Sequence, residues 1–395
     1  MKTAAPQWEA KIHQNLDERK QQGLFRKRQT GQVLAHGYFK LEADESTYIN
    51  FSSNDYLGLG QDETLKDAYI QGIKRYGCGS GASPLVTGHH TAHRELEDNL
   101  CQWLGFDAAL LFNSGFSANQ AVIHALLDRG DYLIQDKLNH ASLMEAGMLS
   151  AATMKRYAHQ NLTQLEHLLK KKMPNQAGLV VTEGVFSMDG DCSDLAQISQ
   201  LASAHQSLLM VDDAHGFGVL EGGKGSCAKA NIQPDILMVT FGKALGVQGA
   251  AILCAQQMAD YLNQTARHYI YSTAMPAAQA FAVNAALNMV KTQTWRFDKL
   301  AQHRDKLSQC IRQLSDTPPT QTPIQPWIIG SPNQTIQMHQ HLRKRGLWLQ
   351  AIRPPTVPYG SSRLRICLSA AHDDAQLLQL LDGLAQVHQM QGGNT

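Results

Sequence analysis

Lys243 stands directly after an apolar run, DILMVTF, in the turn TFGKALG. A lysine amine adds to a carbonyl once desolvation keeps part of it neutral, although a lone lysine after a strand is ordinarily a solvated loop charge. Upstream, the run SLLMV opens into Asp212, Asp213, Ala214 and His215. A carboxylate can hold a proton on an aromatic ring nitrogen, and an imidazole three residues on can reach an oxygen of the same ring. Taken alone, Asp212 reads as a helix cap and His215 as a structural histidine. Beside Lys243 they read instead as an amine that captures a carbonyl and a carboxylate that keeps the captured ring electron-poor.

A ring that also carries a phosphate needs an anion cradle, and a glycine turn opening a helix supplies one through its N–H groups and dipole. NSGFSANQ has this form, with Ser114, Gly115 and Phe116 at the turn. Thr240, just before the Lys243 turn, and Ser272 and Thr273 in YIYSTAMP offer hydroxyls, whose plainer reading is turn or capping duty. DKLNHAS sets His140 beyond another apolar run, where an imidazole can stack on a flat ring, and TEGVFSMDGD adds Glu183 and Ser187 as polar neighbours. Amine, carboxylate, imidazoles and anion turn together lead us to expect pyridoxal 5'-phosphate, whose protonated pyridine stabilises a substrate carbanion.

The elements that must position these groups show a consistent rhythm. Between about 105 and 255, short apolar runs (108–112, 131–135, 178–183, 207–213, 235–241 and 249–254) alternate with helix-length segments and end in Gly, Ser, Asp or His. Such runs suit strands buried on both faces, and α/β folds bind ligands beyond the carboxyl ends of their strands. The expected fold class is α/β, with a mostly parallel sheet. Residues 1–46 read as an N-terminal segment with an amphipathic helix over 8–28, residues 47–290 as a large cofactor-binding domain, and residues 291–395 as a smaller α+β domain.

Composition narrows the function. The 395 residues carry a formal net charge of +1, 43% hydrophobic and 17% charged residues. That argues against a nucleic-acid or anionic-lipid surface and against disorder. No apolar run approaches the ~18 residues of a membrane span, and Glu9, Lys11 and several glutamines stand where a secretory signal would need an apolar stretch, so export is not expected. Seven scattered cysteines without a CxxC fit a reducing cytosol. GVLEGGKG fails as a P-loop because Gly225 stands where Ser or Thr must meet magnesium. His89, His90 and His93 lack an acidic HExxH partner and read as structural, so no metal is expected.

VDDAHGFG, TFGKALG, TEGVFSMDGD, NSGFSANQ and SSNDYLGLG together resemble the motifs of the fold-type I α-oxoamine synthases, over nearly the whole chain. The segment AIRPPTVPYGSSRLRICLSAAH is similar to the branch that joins L-alanine to a pimeloyl thioester in the biotin pathway. The resemblance implies Lys243 as the covalent anchor of the cofactor, Asp212 at the pyridine nitrogen, His215 at the phenolic oxygen and His140 stacked on the ring. It implies Ser114 to Phe116 and Thr240 at the phosphate. It also implies a cytoplasmic homodimer in which Ser272 and Thr273 reach the neighbouring subunit's cofactor. Substrate contacts fall to Arg353 for the amino-acid carboxylate, to Arg26 for the far carboxylate of the acyl chain, and to Asn54 and Ser83. The sequence departs from the family at Ala82, Pro84 and Leu85, at the His89–His90 pair, and at Ala244–Leu245, a pairing also seen in the aminoketobutyrate ligase branch, which acts on glycine and an acetyl thioester.

Overall fold

The computed structural model describes residues 5–22, 24, 25 and 27–392. The first helix, Pro6–Gln21, opens with proline at its first turn and closes with Arg19 and Lys20 near its negative end, both favourable placements. It stops seven residues short of the expected boundary. None of its residues is buried, so the stripe of Trp8, Ile12 and Leu16 is not covered by the rest of the described chain.

A small antiparallel meander follows, formed by β1 (Gly31–Val33), β2 (Tyr38–Leu41) and β3 (Thr47–Asn50). The central sheet has seven strands: β4 (Ala108–Phe112), β5 (Tyr132–Asp136), β6 (Thr153–Tyr157), β7 (Gly178–Glu183), β8 (Leu208–Asp212), β9 (Ile236–Thr240) and β10 (Ala250–Cys254). Their spatial order is β4-β10-β9-β8-β7-β5-β6. All six expected strands are present, and the sheet is mostly parallel. β10 runs antiparallel to both neighbours, which periodicity cannot reveal because direction depends on the connection rather than on the strand.

β6 was not expected from the sequence. It is an edge strand paired only with β5, and its TMKRY sequence leaves Lys155 and Arg156 exposed. Charges on an edge discourage further strand pairing, and here they also remove the apolar signature of a strand.

Side chains alternate along the strands as a pleat requires. Val180 and Val211 enter one core, whereas Leu179, Val181 and Met210 enter the other. Helices Gly115–Leu126 and Ala141–Leu149 cover the second face. Helices Thr91–Leu104, Leu195–Ala204 and Ala277–Thr292 cover the first. With both faces buried, the loops beyond the strand ends are the places left for polar chemistry.

The C-terminal part carries β11 (Ile324–Gly330), β12 (Leu347–Trp348), β13 (Gln350–Ile352) and β14 (Ser362–Cys367). β11, β14 and β13 form an antiparallel sheet, while β12 pairs in parallel with β3. The Cys367 N–H also donates to the Phe51 carbonyl at 2.8 Å. These bonds bring residues from both ends of the chain over the same edge of the central sheet. No helix among the described residues is long and apolar enough to cross a membrane.

Candidate active site

The carboxyl ends of β5, β7, β8 and β9 lead respectively to His140, Ser187, His215 and Lys243. All four side chains line one cavity of about 970 Å³, together with Asn54, Arg353 and Arg365. The cavity therefore sits beyond the strand ends, where a parallel sheet leaves its loops free.

Burial lowers the proton affinity of the Lys243 amine to about 8, although the Asp212 and Glu183 carboxylates oppose that shift. Asp212 closes β8 and is itself buried. Its Oδ1 accepts from the Ala214 N–H at 3.0 Å and its Oδ2 from the Asn119 amide at 2.7 Å. The same Asn119 amide donates to Ser142 Oγ at 2.9 Å, and Ser142 Oγ lies 2.9 Å from His140 Nδ1.

This chain of contacts sets the His140 tautomer. Nδ1 accepts from the Ser142 backbone N–H at 3.2 Å, so the ring proton belongs on Nε2. Burial keeps the imidazole neutral, aided by the charge of Lys243 and opposed by that of Asp212. His215 is held well below its ordinary range by burial and by the cations Lys243 and Arg365. Its Nδ1 meets the Tyr56 hydroxyl at 2.7 Å, and that hydroxyl also donates to Asn54 Oδ1 at 3.1 Å.

Ser114 caps helix Gly115–Leu126, its Oγ accepting from the Ser117 N–H at 3.2 Å. Among the described residues the Gly115 and Phe116 N–H groups meet no acceptor, so the helix start keeps the donors that an anion needs. A Cβ at Gly115 would lie 3.3 Å from Met238 and 4.0 Å from Thr240, which puts Thr240 beside the turn. The Phe116 ring stands edge-on to His140, with centroids 6.3 Å apart.

Other expected residues lie off the cavity wall. Glu183 is buried behind it; burial, reinforced by Asp212 and opposed by Lys243, favours its protonated form. Ser83 precedes the π-helical turn Pro84–Gly88, which carries the exposed Leu85 and Val86. Ser272 and Thr273 follow the exposed Tyr271, with the Thr273 carbonyl accepting from the Asn113 amide at 2.8 Å. Arg26 lies outside the described residues, although its neighbours Phe25 and Lys27 line the cavity.

Sequence reasoning missed Arg365, Tyr56, Asn119 and His339. Arg365 is buried on β14, donating to the Ser187 carbonyl at 2.6 Å, to Cys367 Sγ at 2.8 Å and to Asn54 Oδ1 at 3.2 Å. Two arginines two positions apart in SRLRIC, a strand with all six residues buried, were the available signal. His339 reaches the cavity from helix Pro332–Lys344, its Nδ1 donating to the Leu349 carbonyl at 2.7 Å.

A mostly parallel sheet, covered on both faces and carrying a desolvated lysine, a buried carboxylate and an anion turn at its carboxyl edge, defines a fold-type I, pyridoxal-phosphate-dependent transferase. The family model for aminotransferase class I and II matches residues 46–384. The 8-amino-7-oxononanoate synthase of Vibrio vulnificus (strain CMCP6) is 52% identical over 378 residues, covering 95% of this chain and 97% of that protein. The enzyme of the same name from Vibrio cholerae is 52% identical over 381 residues, covering 96% and 98%. Among solved structures, serine palmitoyltransferase of Sphingomonas wittichii superposes with a TM-score of 0.90 at 25% identity, over 98% of each chain. The 8-amino-7-oxononanoate synthase of Francisella tularensis gives 0.75 at 28% identity, over 87% of this chain and 98% of that one. The chain belongs to the aminotransferase class I and II family and, within it, to the family of 8-amino-7-oxononanoate synthases.

Proposed function

We propose that the chain condenses L-alanine with a pimeloyl thioester, giving 8-amino-7-oxononanoate, carbon dioxide and the free thiol carrier, as a step of biotin synthesis. The observation that carries this reading is the company Lys243 keeps. Its cavity is lined by three guanidiniums, those of the exposed Arg19, the half-buried Arg353 and the buried Arg365, and among the described residues none is paired with a carboxylate. A buried cation lacking an acidic partner is costly unless an anion arrives, and the amino-acid carboxylate has the right charge and the planar geometry for a bidentate contact.

Pyridoxal 5'-phosphate, when bound, supplies a carbonyl that bonds the amine and a ring that withdraws electrons from the neighbouring carbon. Lys243, whose proton affinity burial brings down to about 8, keeps a neutral share near neutral pH, so it can both anchor a carbonyl and take the proton from the alanine Cα. Asp212, fixed by Asn119 and by the Ala214 N–H, holds the proton on the pyridine nitrogen. His140 presents its ring and Nε2–H to the cavity, and His215 can face the phenolic oxygen. Ser114, Gly115, Phe116 and Thr240 hold the phosphate, while Glu183 and Ser187 support the walls beside it. Asn54 positions Arg365, and Ser83 contributes at the substrate entrance.

In the overall reaction a carbon–carbon bond forms between the alanine Cα and the acyl carbon. The acyl carbon–sulfur bond and the bond from Cα to its carboxylate both break. Arg26 receives the far carboxylate of the acyl chain. We further propose a cytoplasmic homodimer whose sites are completed by Ser272 and Thr273 of the neighbouring copy, which the exposure of this segment supports. Purified protein supplied with cofactor, L-alanine and pimeloyl-CoA should release the aminoketone, detected by mass. Turnover of glycine with acetyl-CoA in preference would overturn the substrate assignment.

A further inference from the structure

His159, in the turn after β6, lies outside the cavity lining and is bonded to a carboxylate at each ring nitrogen. Nδ1 stands 3.1 and 3.2 Å from the two Asp136 oxygens, and Nε2 stands 2.8 Å from Asp191 Oδ2. Ionised carboxylates only accept, so both nitrogens donate and the ring is an imidazolium. Burial works against that charge, but the hydrogen bonds and charges of Asp136 and Asp191 outweigh it and raise the proton affinity to about 9.

The two carboxylates belong to the segments that follow two neighbouring strands, β5 and β7, and that supply His140 and Ser187 to the cavity. Asp136 ends β5 and also accepts the Leu138 and Gln160 N–H groups at 2.8 and 3.1 Å. His140 follows in the same loop. Asp191 closes the turn 186–191, where the Phe186 N–H donates to the Asp191 carbonyl at 3.0 Å and the Gly190 N–H to the Phe186 carbonyl at 2.8 Å. That turn supplies Ser187 and Met188 to the cavity. Asp191 Oδ1 has no partner among the described residues, so its carboxylate is met at Oδ2, by His159 and by the Gln160 amide. The Phe186 ring packs edge-on against the imidazole at 4.4 Å. The turn has three further attachments to the C-terminal part of the chain: Arg363 pairs with Asp189, Arg365 donates to the Ser187 carbonyl, and the Thr322 hydroxyl donates to the Gly190 carbonyl at 2.9 Å.

We propose that His159 is a positioning residue whose cation straps the turn 186–191 to the end of β5, holding Ser187 and His140 at their places in the cavity lining. The proposal rests on the reading of that cavity as the cofactor and amino-acid site. Its functional consequence is amino-acid affinity, because a loosened turn also frees the carbonyl that orients Arg365.

The test uses cofactor-loaded protein, with L-alanine binding followed by the cofactor absorbance. His159→Gln and Asp191→Asn should each raise the alanine Kd about tenfold at pH 7.5, with no further loss in the double variant. The ratio of variant to wild-type Kd should shrink toward one above pH about 9, as the wild-type ring loses its proton; a purely structural defect would leave that ratio constant. Nuclear magnetic resonance of the His159 ring in the wild type should show it protonated at pH 8, with Asp191→Asn lowering its titration. Unchanged affinity in both variants, a pH-independent ratio, or a neutral ring at pH 7.5 would overturn the strap. Should His159→Gln fail to fold, Asp191→Asn and the ring titration decide the matter. A wild type that binds neither cofactor nor alanine would instead refute the reading of the cavity, leaving the titration to judge the ion pairs.

Discussion

The Asn119 amide donates at once to Asp212 Oδ2 and to Ser142 Oγ, at 2.7 and 2.9 Å. One side chain on helix Gly115–Leu126 thereby ties the carboxylate at the end of β8 to the serine that fixes the His140 tautomer. Asn119→Ala should lower kcat about tenfold while the protein stays folded, since it removes a charge-assisted hydrogen bond of ~1.5 to 3 kcal/mol from the group that holds the pyridine proton. Asn119→Asp should cost more, because it sets a second carboxylate against Asp212. Steady-state rates, with circular dichroism as a control on folding, check both, and full activity in Asn119→Asp would remove this contact from the mechanism.

Lys243 gives a prediction in pH. The neutral amine reacts, and burial brings its proton affinity down from 10.5 to about 8. Capture of added pyridoxal 5'-phosphate by apoprotein should therefore rise between pH 7 and 9 and then level off. Lys243→Ala should lose the borohydride-reducible link to the cofactor entirely. A link that persists in this variant would sink the assignment.

Arg353 and Arg365 should separate in a stability assay. Arg353→Ala is expected to raise the KM for alanine at least tenfold and leave chemical denaturation unchanged. Arg365→Ala should raise KM as well and also destabilise the fold by about 1 to 3 kcal/mol, because it removes a buried side chain whose bonds tie the half-buried Ser187 carbonyl and Asn54 amide oxygen to β14. Identical denaturation of the two variants would contradict this division of labour.

Arg26 is tested by its substrate. If it meets the far carboxylate of the acyl chain, Arg26→Ala should weaken use of a pimeloyl thioester by an amount on the order of 2 to 5 kcal/mol in kcat/KM. An uncharged acyl thioester of similar length should be spared. Equal losses with both donors would show that Arg26 does not recognise the carboxylate.

Much of this site could be read locally, for a geometric reason. In a parallel sheet the strand ends share one edge, so a reactive residue just after an apolar run already has an approximate address. That is how Lys243, Asp212, His215, His140 and the Ser114 turn emerged from the chain order alone, with pyridoxal phosphate chemistry as their common meaning. Tertiary structure decided which strands are neighbours, that β10 runs against the rest, and that a charged segment, Thr153–Tyr157, forms an edge strand. It also supplied the partners that orient the reactive groups. Tyr56 meets His215 across 159 positions, Arg365 meets Asn54 across 311, and Asn119 reaches Asp212 across 93. No periodicity of 2 or 3.6 residues encodes such distances. Arg365 and Asn54 meet because β14 brings the end of the chain to Phe51 near its beginning, whereas Asn119 meets Asp212 because its helix packs on the sheet at the end of β8, and in each case two polar side chains can pair only after the backbone has brought them together.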